Sequence, residues 1–343
     1  MSTGQVDNTP AVRTALREAD VLVLDASQAR VLALADGIHA SVVGAPGSGK
    51  TATLIQLVAD RVLGRGWDAE AVLALTSSRS TATVLRDRIA ARLERPTNGP
   101  MARSATSLAF EIASSAALQA GRHPLRLITG GEQDNDFAQL IAGHLAEGTG
   151  PDWPPHLGPQ VRELRGFRSE LRDLYTRITE HGITLSQVRA LALEDDIPEW
   201  SAAADFFAEY LDVVGMSRPG QADAADLAAL AVDAIDRGDL GDRLSRLRLI
   251  VIDDFQEATH ATFTLLRALA ARGVQIVAFG DPDIAANTFR GGDPESLRRF
   301  SALFGVAHDS QIVLSTVYRH GPDIRRLVSR VTERVGTAGP RLR

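Results

Sequence analysis

Residues 44–51 carry the pattern with the clearest chemical meaning in this sequence. They read GAPGSGKT and satisfy G-x-x-x-x-G-K-[ST] at every position. In such a pattern the glycines let backbone N–H groups converge on phosphate oxygens, and a lysine and a hydroxyl follow where a helix begins. The residues predicted to bind a nucleoside triphosphate are Gly44, Ala45, Pro46, Gly47, Ser48, Gly49, Lys50 and Thr51.

Lys50 is the only lysine among the 37 lysines and arginines of the chain. The codon bias of a GC-rich genome explains arginine wherever either cation suffices, so the one retained lysine indicates a special requirement. A compact ammonium fits between β- and γ-phosphate oxygens, whereas a planar guanidinium is too wide. We predict that Lys50 neutralises these oxygens and that Thr51 holds Mg²⁺.

An acidic pair at the end of an apolar run supplies a second chemical element. The run Val251–Ile252 is followed directly by Asp253 and Asp254. Acidic pairs are common on protein surfaces, but an aliphatic strand that ends in one delivers carboxylates to the sheet edge where nucleotides bind. We predict that Asp253 anchors Mg²⁺ through water and that Asp254 orients the attacking water.

The elements that position these residues alternate between strands and helices. Apolar runs of strand type occur at 41–43, 71–75, 248–252, 275–279 and 311–314, and helical spacing follows Thr51 and spans 80–93. All-apolar strands that alternate with helices indicate a parallel sheet covered on both faces. The predicted fold class is therefore α/β, a RecA-like P-loop NTPase with an inserted, mostly helical subdomain. The predicted boundaries are 1–114 and 239–343 for the two parts of the ATP-binding domain and 115–238 for the insertion.

Composition restricts the class of protein further. The chain has 343 residues, 44% of them hydrophobic and 23% charged, with no cysteine and a net charge of −6. Disulfides and thiolate metal sites are excluded, and no apolar run reaches the roughly 18 residues of a membrane helix. We expect a cytoplasmic protein without a membrane partner. If it binds DNA, the basic groups must be clustered locally.

At this point the sequence resembles the UvrD/Rep-type superfamily 1 DNA helicases, and the motifs follow the order of that family along nearly the whole chain. Residues 24–28, LDASQ, resemble its Q motif, and 253–257, DDFQE, its D-E-x-Q-D segment. The segments 280–291 and 314–320 resemble its later motifs, 75–79 and 106–110 its DNA-contacting segments, and 223–227 its D-x-x-D-L return from the insertion. The resemblance implies an ATP- and Mg²⁺-dependent enzyme that binds DNA.

The resemblance also implies roles for individual residues. Gln28 would read the adenine edge, Tyr318 would stack on the base, Arg319 would reach the γ-phosphate, and Gln256 would link the nucleotide to the DNA-facing side. The catalytic set is then Lys50, Asp253, Asp254, Gln256 and Arg319. The implied DNA contacts are Thr76, Ser77, Arg79, Thr106, Ser107, Phe289 and Arg290.

Four positions depart from the family pattern. Asp254 stands where the family has glutamate, Ile284 where it has a γ-phosphate-sensing glutamine, Asn287 where it has an aromatic residue, and Val317 where it has asparagine. Asp254 and Ile284 favour an alternative function, a non-catalytic P-loop subunit that binds ATP as a switch or scaffold, while the presence of Lys50, Thr51, Asp253 and Arg319 counts against it. The complete phosphate-binding motif favours an active motor. A small-molecule kinase would leave Gln256, Arg290 and the Tyr318–Arg319 pair without a role.

The sequence is rich in arginine, lacks cysteine and carries altered motifs. In these features it is similar to the AdnA-type subunits of the actinobacterial AdnAB helicase–nuclease, which resects double-strand breaks. That similarity implies 3′-to-5′ polarity, single- and double-stranded DNA as ligands, and a second helicase–nuclease subunit in a heterodimer. We expect a second motor lobe and a nuclease domain beyond Arg343, and we expect this segment alone to bind ATP but to hydrolyse it poorly.

An arginine ladder in the predicted insertion has two interpretations. Its members recur at spacings of three or four residues, namely Arg162, Arg165, Arg168 and Arg172. A solvated helix face paired with Glu163 and Glu170 is the simpler interpretation. A stripe that follows DNA phosphates is the other, because such a ladder concentrates positive charge in an acidic chain.

Overall fold

The structure, a computed structural model, describes residues 23–122, 125–217, 220–222, 224–284, 292–306, 311–321, 323–324, 326–328 and 330. The strands in these residues are β1 Ala40–Val43, β2 Val72–Thr76, β3 Ala102–Ser104, β4 Arg126–Leu127, β5 Gln221–Ala222, β6 Leu249–Ile252, β7 Gln275–Gly280 and β8 Gln311–Val313. Six of them form one sheet in the order β3-β2-β6-β7-β1-β8, and β4 and β5 form a separate pair.

Every pairing in the six-stranded sheet is parallel. The strand β1 lies between β7 and β8, so that Val43 faces Gly280 on one side and Val313 on the other. Strands β1, β2, β6 and β7 are buried at every residue, as expected for a parallel sheet covered by helices. The predicted α/β fold class is therefore confirmed.

Among the described residues, helices follow most strands of the main sheet, and five consecutive helices lie between β4 and β5. The helices are α1 Ala26–Leu32, α2 Lys50–Ala59, α3 Arg79–Leu93, α4 Ala105–Gln119, α5 Gly130–Glu147, α6 Pro159–Arg162, α7 Arg165–Glu180, α8 Leu185–Glu194, α9 Pro198–Ser217, α10 Ala224–Arg237, α11 Asp242–Ser245, α12 His260–Ala271 and α13 Phe300–Phe304. Short 3₁₀ turns span Ala69–Ala71, Pro155–Leu157 and Phe255–Glu257, and a π-helical segment, Asp60–Gly64, continues α2.

The sheet separates two hydrophobic cores, because successive side chains of a strand point to opposite faces. In β6, Ile250 and Ile252 join the core that also contains α4, α10 and α12. Leu249 and Val251 of the same strand join the opposite core, which contains α2 and α3. Helices therefore cover both faces of the sheet. Strand β6, which directly precedes the acidic pair, contributes side chains to both cores.

The segment between β4 and β5 has a core of its own, built around the fully buried Phe137. The rings of Phe206 and Tyr210 pack edge-on against Phe137, with centroids 5.1 and 4.9 Å away. At its base, Leu127 pairs with Ala222 in the parallel β4–β5 ladder. The described residues of this segment, 128–217, are mostly helical and form this separate core.

The predicted domain boundaries stay a prediction. Helix α4 runs across position 114, and its Leu108 and Ile112 pack in the sheet core. Helix α10 packs in the same core through Leu227 and Ile235. In the part of the chain that the structure describes, no helix combines the length and apolar character required to span a bilayer.

Candidate functional site

The loop between β1 and α2 lies at the carboxyl edge of the sheet. It begins where the Gly44 N–H donates to the Gly280 carbonyl at 3.2 Å, which ties the loop to the end of β7. It ends at Gly49, the residue before α2 begins at Lys50. The first N–H groups of α2 consequently point toward the loop, where they and the helix dipole favour an anion.

Two glycines of this loop adopt left-handed backbone conformations, with φ of 83° at Gly47 and 86° at Gly49. A Cβ at Gly47 would lie 2.6 Å from the Cβ of Arg319, and one at Gly49 would lie 2.9 Å from Nε2 of Gln28. Any other residue would be strained and would collide with these predicted nucleotide contacts. The glycines therefore allow the chain segments of the site to approach the loop closely.

The Lys50 ammonium lies inside the loop and donates to the carbonyls of Gly44, at 2.6 Å, and Ala45, at 3.3 Å. Burial lowers the pKa of Lys50, and the negative charges of Asp281, Asp254 and Asp253 counteract this. The amine is thus a largely desolvated cation surrounded by carboxylates at the carboxyl edge of the sheet.

Thr51 and Asp253 meet across 202 residues of sequence. The Thr51 hydroxyl donates to Oδ2 of Asp253 at 2.8 Å. Asp253 follows the last residue of β6 and is only 9% exposed. A hydroxyl and a carboxylate in contact beside a phosphate-binding loop are the oxygen ligands that Mg²⁺ favours, so the two predicted metal-binding residues fit that ion.

Burial, together with the charge of Asp254, raises the pKa of Asp253 to about 6, although the Thr51 hydroxyl and Lys50 favour the charged form. Because the folded protein holds this proton more tightly than the unfolded chain, stability should fall as the pH rises from about 4 to about 6. We expect this carboxyl to contribute on the order of 2–3 kcal/mol to that fall. Asp253→Asn should remove this contribution and be more stable than the unaltered protein at pH 7 without Mg²⁺. Urea unfolding between pH 4.5 and 7.5 would measure it, and equal slopes for both proteins would contradict it.

Asp254 has an unusual backbone, with φ 52° and ψ 51°. Aspartate and asparagine tolerate this left-handed region better than most residues. Gln256 is buried and lies between two sheet ends: its Nε2 donates to Oδ1 of Asp254 at 3.5 Å, and its Oε1 accepts from the Asp281 N–H at 3.1 Å. The side chain of Gln256 thereby connects the ends of β6 and β7.

Gln28 and Tyr318, which are predicted to bind adenine, and Arg319, which is predicted to reach the γ-phosphate, lie beside the phosphate loop. The Tyr318 N–H donates to the Gly47 carbonyl at 2.9 Å, and two carbons of its ring lie 3.7 Å from the position of a Cβ on Gly49. Gln28 reaches the same point through Nε2, and Arg319 lies over Gly47. The three residues therefore surround the phosphate loop, as the sequence motifs suggest.

The predicted DNA contacts are brought together only in part. A cavity of about 670 Å³ lies between α4, α7 and α12, and Thr76, Ser77 and Thr106 line it. Arg79 and Ser107 are not among its lining residues. Phe289 and Arg290 lie outside the described residues, as does Asn287.

The same cavity reaches both the acidic pair and the helical segment. Asp253 and Asp254 form part of its wall, and Arg172, Thr176 and Thr179 of α7 form another part. The cavity therefore connects the predicted hydrolysis site with a surface rich in hydroxyl groups and carrying one cation.

The arginine ladder is not paired as its simpler interpretation predicts. Arg168 and Arg172 approach Asp134 of α5, at 3.5 and 3.8 Å, instead of Glu163 and Glu170. The predicted pairing along one helix was wrong because α7 packs against α5, and this contact brings the carboxylate of Asp134 nearer. The Arg172 side chain remains 32% exposed, at the cavity wall.

Among the departures from the family pattern, Val317 packs against the phosphate loop, with Cγ1 3.5 Å from the position of a Cβ on Gly47. Ile284 is 46% exposed and has no hydrogen-bonding side-chain atom. It cannot replace a glutamine that senses phosphate.

Two residues of the site have no role in the sequence-based prediction. Asp25 accepts a hydrogen bond from the Tyr318 hydroxyl at 2.8 Å. Asp281 is buried at the end of β7, and its negative charge raises the pKa of Lys50. The position of Asp25 directly before a helix was a signal for a cap, and the position of Asp281 at a strand end was a signal for a site residue.

With this geometry, the fold and site define a P-loop NTPase, and comparison with known proteins gives its family. The family described as UvrD/REP helicase N-terminal domain matches residues 24–305. The chain therefore belongs to this family and contains a helicase motor domain.

Among solved structures, a Pif1 helicase from Candida albicans is similar to the chain, with 12% identity and a TM-score of 0.34. The match covers 90% of this chain and 43% of that chain, so the present chain spans less than half of the length of that helicase. None of the curated proteins matches the chain.

Proposed function

We propose that the chain is the ATP-binding lobe of an ATP-dependent DNA helicase that translocates on DNA. The observation that carries this proposal is the contact between Thr51 and Asp253 beside the half-buried ammonium of Lys50. Within a UvrD/REP helicase domain, this contact joins the two parts of an ATP-hydrolysing site from positions 202 residues apart.

Each residue of the site has a defined task in this proposal. Lys50 exchanges its two carbonyl acceptors for phosphate oxygens, and the N–H groups of the loop bind the same phosphates. Thr51 and Asp253 hold Mg²⁺, which when bound neutralises charge on the triphosphate. Asp254 orients the attacking water, while Gln256 keeps that carboxylate in a fixed relation to Asp281.

DNA binding is proposed for the cavity between the sheet and the helical segment. Its hydroxyl groups can donate to phosphodiester oxygens, and Arg172 supplies the positive charge that a chain of net charge −6 must provide locally. The carboxylates of Asp253 and Asp254 repel phosphates, so we expect the strand to follow the wall formed by Thr76, Thr106 and Arg172.

Binding of a fluorescent single-stranded oligonucleotide to the chain, followed by anisotropy at several salt concentrations, tests this proposal. Arg172→Gln should weaken binding about tenfold and reduce the slope against log[salt] by about one, because one phosphate contact is lost. Arg177→Gln is the matched control, since it removes the same charge from an exposed position of α7 outside the cavity. Equal losses in the two variants would contradict the proposed track, and failure of the unaltered chain to bind DNA would contradict the function.

The second candidate is a P-loop subunit that binds ATP as a switch while a partner motor drives unwinding. Ile284 favours it, because no side chain at that position can sense the γ-phosphate. Lys50→Ala and Asp253→Asn in the complete assembly decide between the two functions. Unchanged DNA unwinding would establish the switch, and loss of unwinding would establish the motor.

The more specific biological role belongs to the same proposal. We propose double-strand-break repair within an AdnA-type helicase–nuclease, with 3′-to-5′ polarity, a second subunit in a heterodimer and a cytoplasmic location. This proposal is supported by the resemblance of the altered motifs to that group and by the match to the UvrD/REP helicase N-terminal domain family. We also expect this chain alone to hydrolyse ATP slowly, because related motors complete the site with an arginine from a second lobe.

A further inference from the structure

The nucleotide site contains a carboxylate that neither the phosphate chemistry nor the metal site uses. Asp25 precedes α1 and caps it: its side chain accepts from the Gln28 N–H at 2.8 Å. In return, Oε1 of Gln28 accepts from the Asp25 N–H at 3.1 Å. The two side chains form a capping box, which fixes the direction in which Gln28 leaves the helix.

The second oxygen of the same carboxylate binds a residue almost three hundred positions away. Oδ2 of Asp25 accepts from the Tyr318 hydroxyl at 2.8 Å. Tyr318 is 53% exposed, so packing alone does not hold its ring. Hydrogen bonds fix it at both ends: the hydroxyl donates to Asp25 and makes a longer contact, of 3.5 Å, with Oε1 of Gln28, and the backbone N–H donates to the carbonyl of Gly47.

The neighbouring contacts strengthen this link. The Ser315 N–H donates to the Ser27 hydroxyl at 3.2 Å, which ties the segment after β8 to the first turn of α1. Burial raises the pKa of Asp25, but hydrogen bonds from Ser27, the Gln28 N–H and Tyr318 outweigh it and hold the pKa well below its usual range. The carboxylate is therefore ionised at neutral pH, and hydrogen bonds to a charged acceptor are stronger than neutral ones.

We propose that Asp25 is a positioning residue for the base of a purine nucleotide, because one carboxylate sets the place of both the Tyr318 ring and the Gln28 amide. The ring presents a flat apolar face, and the amide presents a donor and an acceptor, beside the same glycine, Gly49. A purine needs both, a surface to stack on and a polar group for its edge. This inference rests on the proposed ATP-binding function and adds the residue that preorganises recognition of the base.

A double-mutant cycle tests the inference. Asp25→Ser keeps a cap for α1 but is too short to reach the Tyr318 hydroxyl. Tyr318→Phe keeps the ring and removes the hydroxyl. Each variant should bind ATP·Mg²⁺ about tenfold more weakly by calorimetry. The double variant should be little weaker than Tyr318→Phe alone, since both substitutions remove the hydrogen bond between Asp25 and the Tyr318 hydroxyl.

The affinity for inorganic tripolyphosphate with Mg²⁺ serves as the control. A general loss of structure would weaken it, whereas a loss of base positioning would leave it unchanged. We expect all variants to bind tripolyphosphate as the unaltered chain does. Asp25→Asn keeps Oδ1 as the acceptor for the Gln28 N–H and can donate its amide N–H to the Tyr318 hydroxyl oxygen. It should therefore keep ATP affinity within about threefold of the unaltered protein, because a neutral hydrogen bond to each partner persists.

Additive losses in the double variant, or equal weakening of tripolyphosphate and ATP, would overturn the positioning role. If the unaltered chain bound neither ligand, the proposed ATP-binding function itself would fail. If it bound tripolyphosphate and ATP with equal affinity, the phosphate loop would stand and recognition of the base would fail.

Discussion

Lys50→Ala is expected to weaken the binding of ATP·Mg²⁺ by about a hundredfold or more and to abolish hydrolysis. The ammonium of Lys50 is the cation that the structure places inside the phosphate loop, and it is half-buried near the charges of Asp281, Asp254 and Asp253. Without it, these carboxylates would face the triphosphate uncompensated, and repulsion in a partly desolvated site is strong. Calorimetric titration with a non-hydrolysable ATP analogue measures the loss.

Lys50→Arg makes the test more specific, because it retains the charge and changes only the shape of the cation. We expect it to lose nearly as much affinity as Lys50→Ala, since a planar guanidinium cannot occupy the space between Gly44 and Ala45. Arg86→Lys, the reverse exchange at a half-exposed surface position, is the control and should bind the analogue normally. Full activity of Lys50→Arg would refute the argument that lysine is required here.

Asp254→Asn should slow single-turnover hydrolysis of ATP by about a hundredfold to a thousandfold while leaving ATP affinity within about threefold. Asparagine has the size of aspartate but lacks its negative charge, so it would orient the attacking water poorly and could not accept a proton from it. The left-handed backbone at this position makes asparagine the suitable replacement, because it tolerates φ of 52°.

Alanine at position 254 would combine the chemical change with backbone strain, so the comparison of Asp254→Asn with Asp254→Ala separates the two. Both variants should lose hydrolysis. Only Asp254→Ala should also have a lower melting temperature, because backbone strain lowers its free energy of unfolding by about 1 kcal/mol. Normal hydrolysis in Asp254→Asn would sink the assignment of this carboxylate and would favour the switch function.

The sheet was predictable from sequence because its strands are buried on both faces and consist of continuous apolar runs. Five of the six strands follow such runs, with ends that differ by one residue from those of the structure. The exception is β3, Ala102–Ser104, a three-residue edge strand with the half-buried Arg103 at its centre. A strand so short and partly polar has no distinctive period, and only its pairing with β2 defines it.

The candidate site divides in the same way. The phosphate loop could be predicted because glycine, lysine and threonine at fixed spacing have a local physical reason. The bond from Tyr318 to Asp25 could not, because it joins positions 293 residues apart and depends on how β8 lies beside β1. The arginine ladder that includes Arg172 was predicted only in part. Its spacing indicates a helix, but the acidic partner of Arg172 lies on a neighbouring helix, which the spacing does not reveal.

The short β4–β5 pair has a consequence for how this architecture can vary. Paired strands lie about 4.8 Å apart, so the chain enters and leaves the helical segment at two adjacent points, β4 and β5. Because, within the described residues, β4 and β5 pair only with each other, they take no part in the register of the six-stranded sheet. We therefore expect helical segments of different size to be compatible with the same ATP-binding sheet, each suited to a different nucleic-acid geometry.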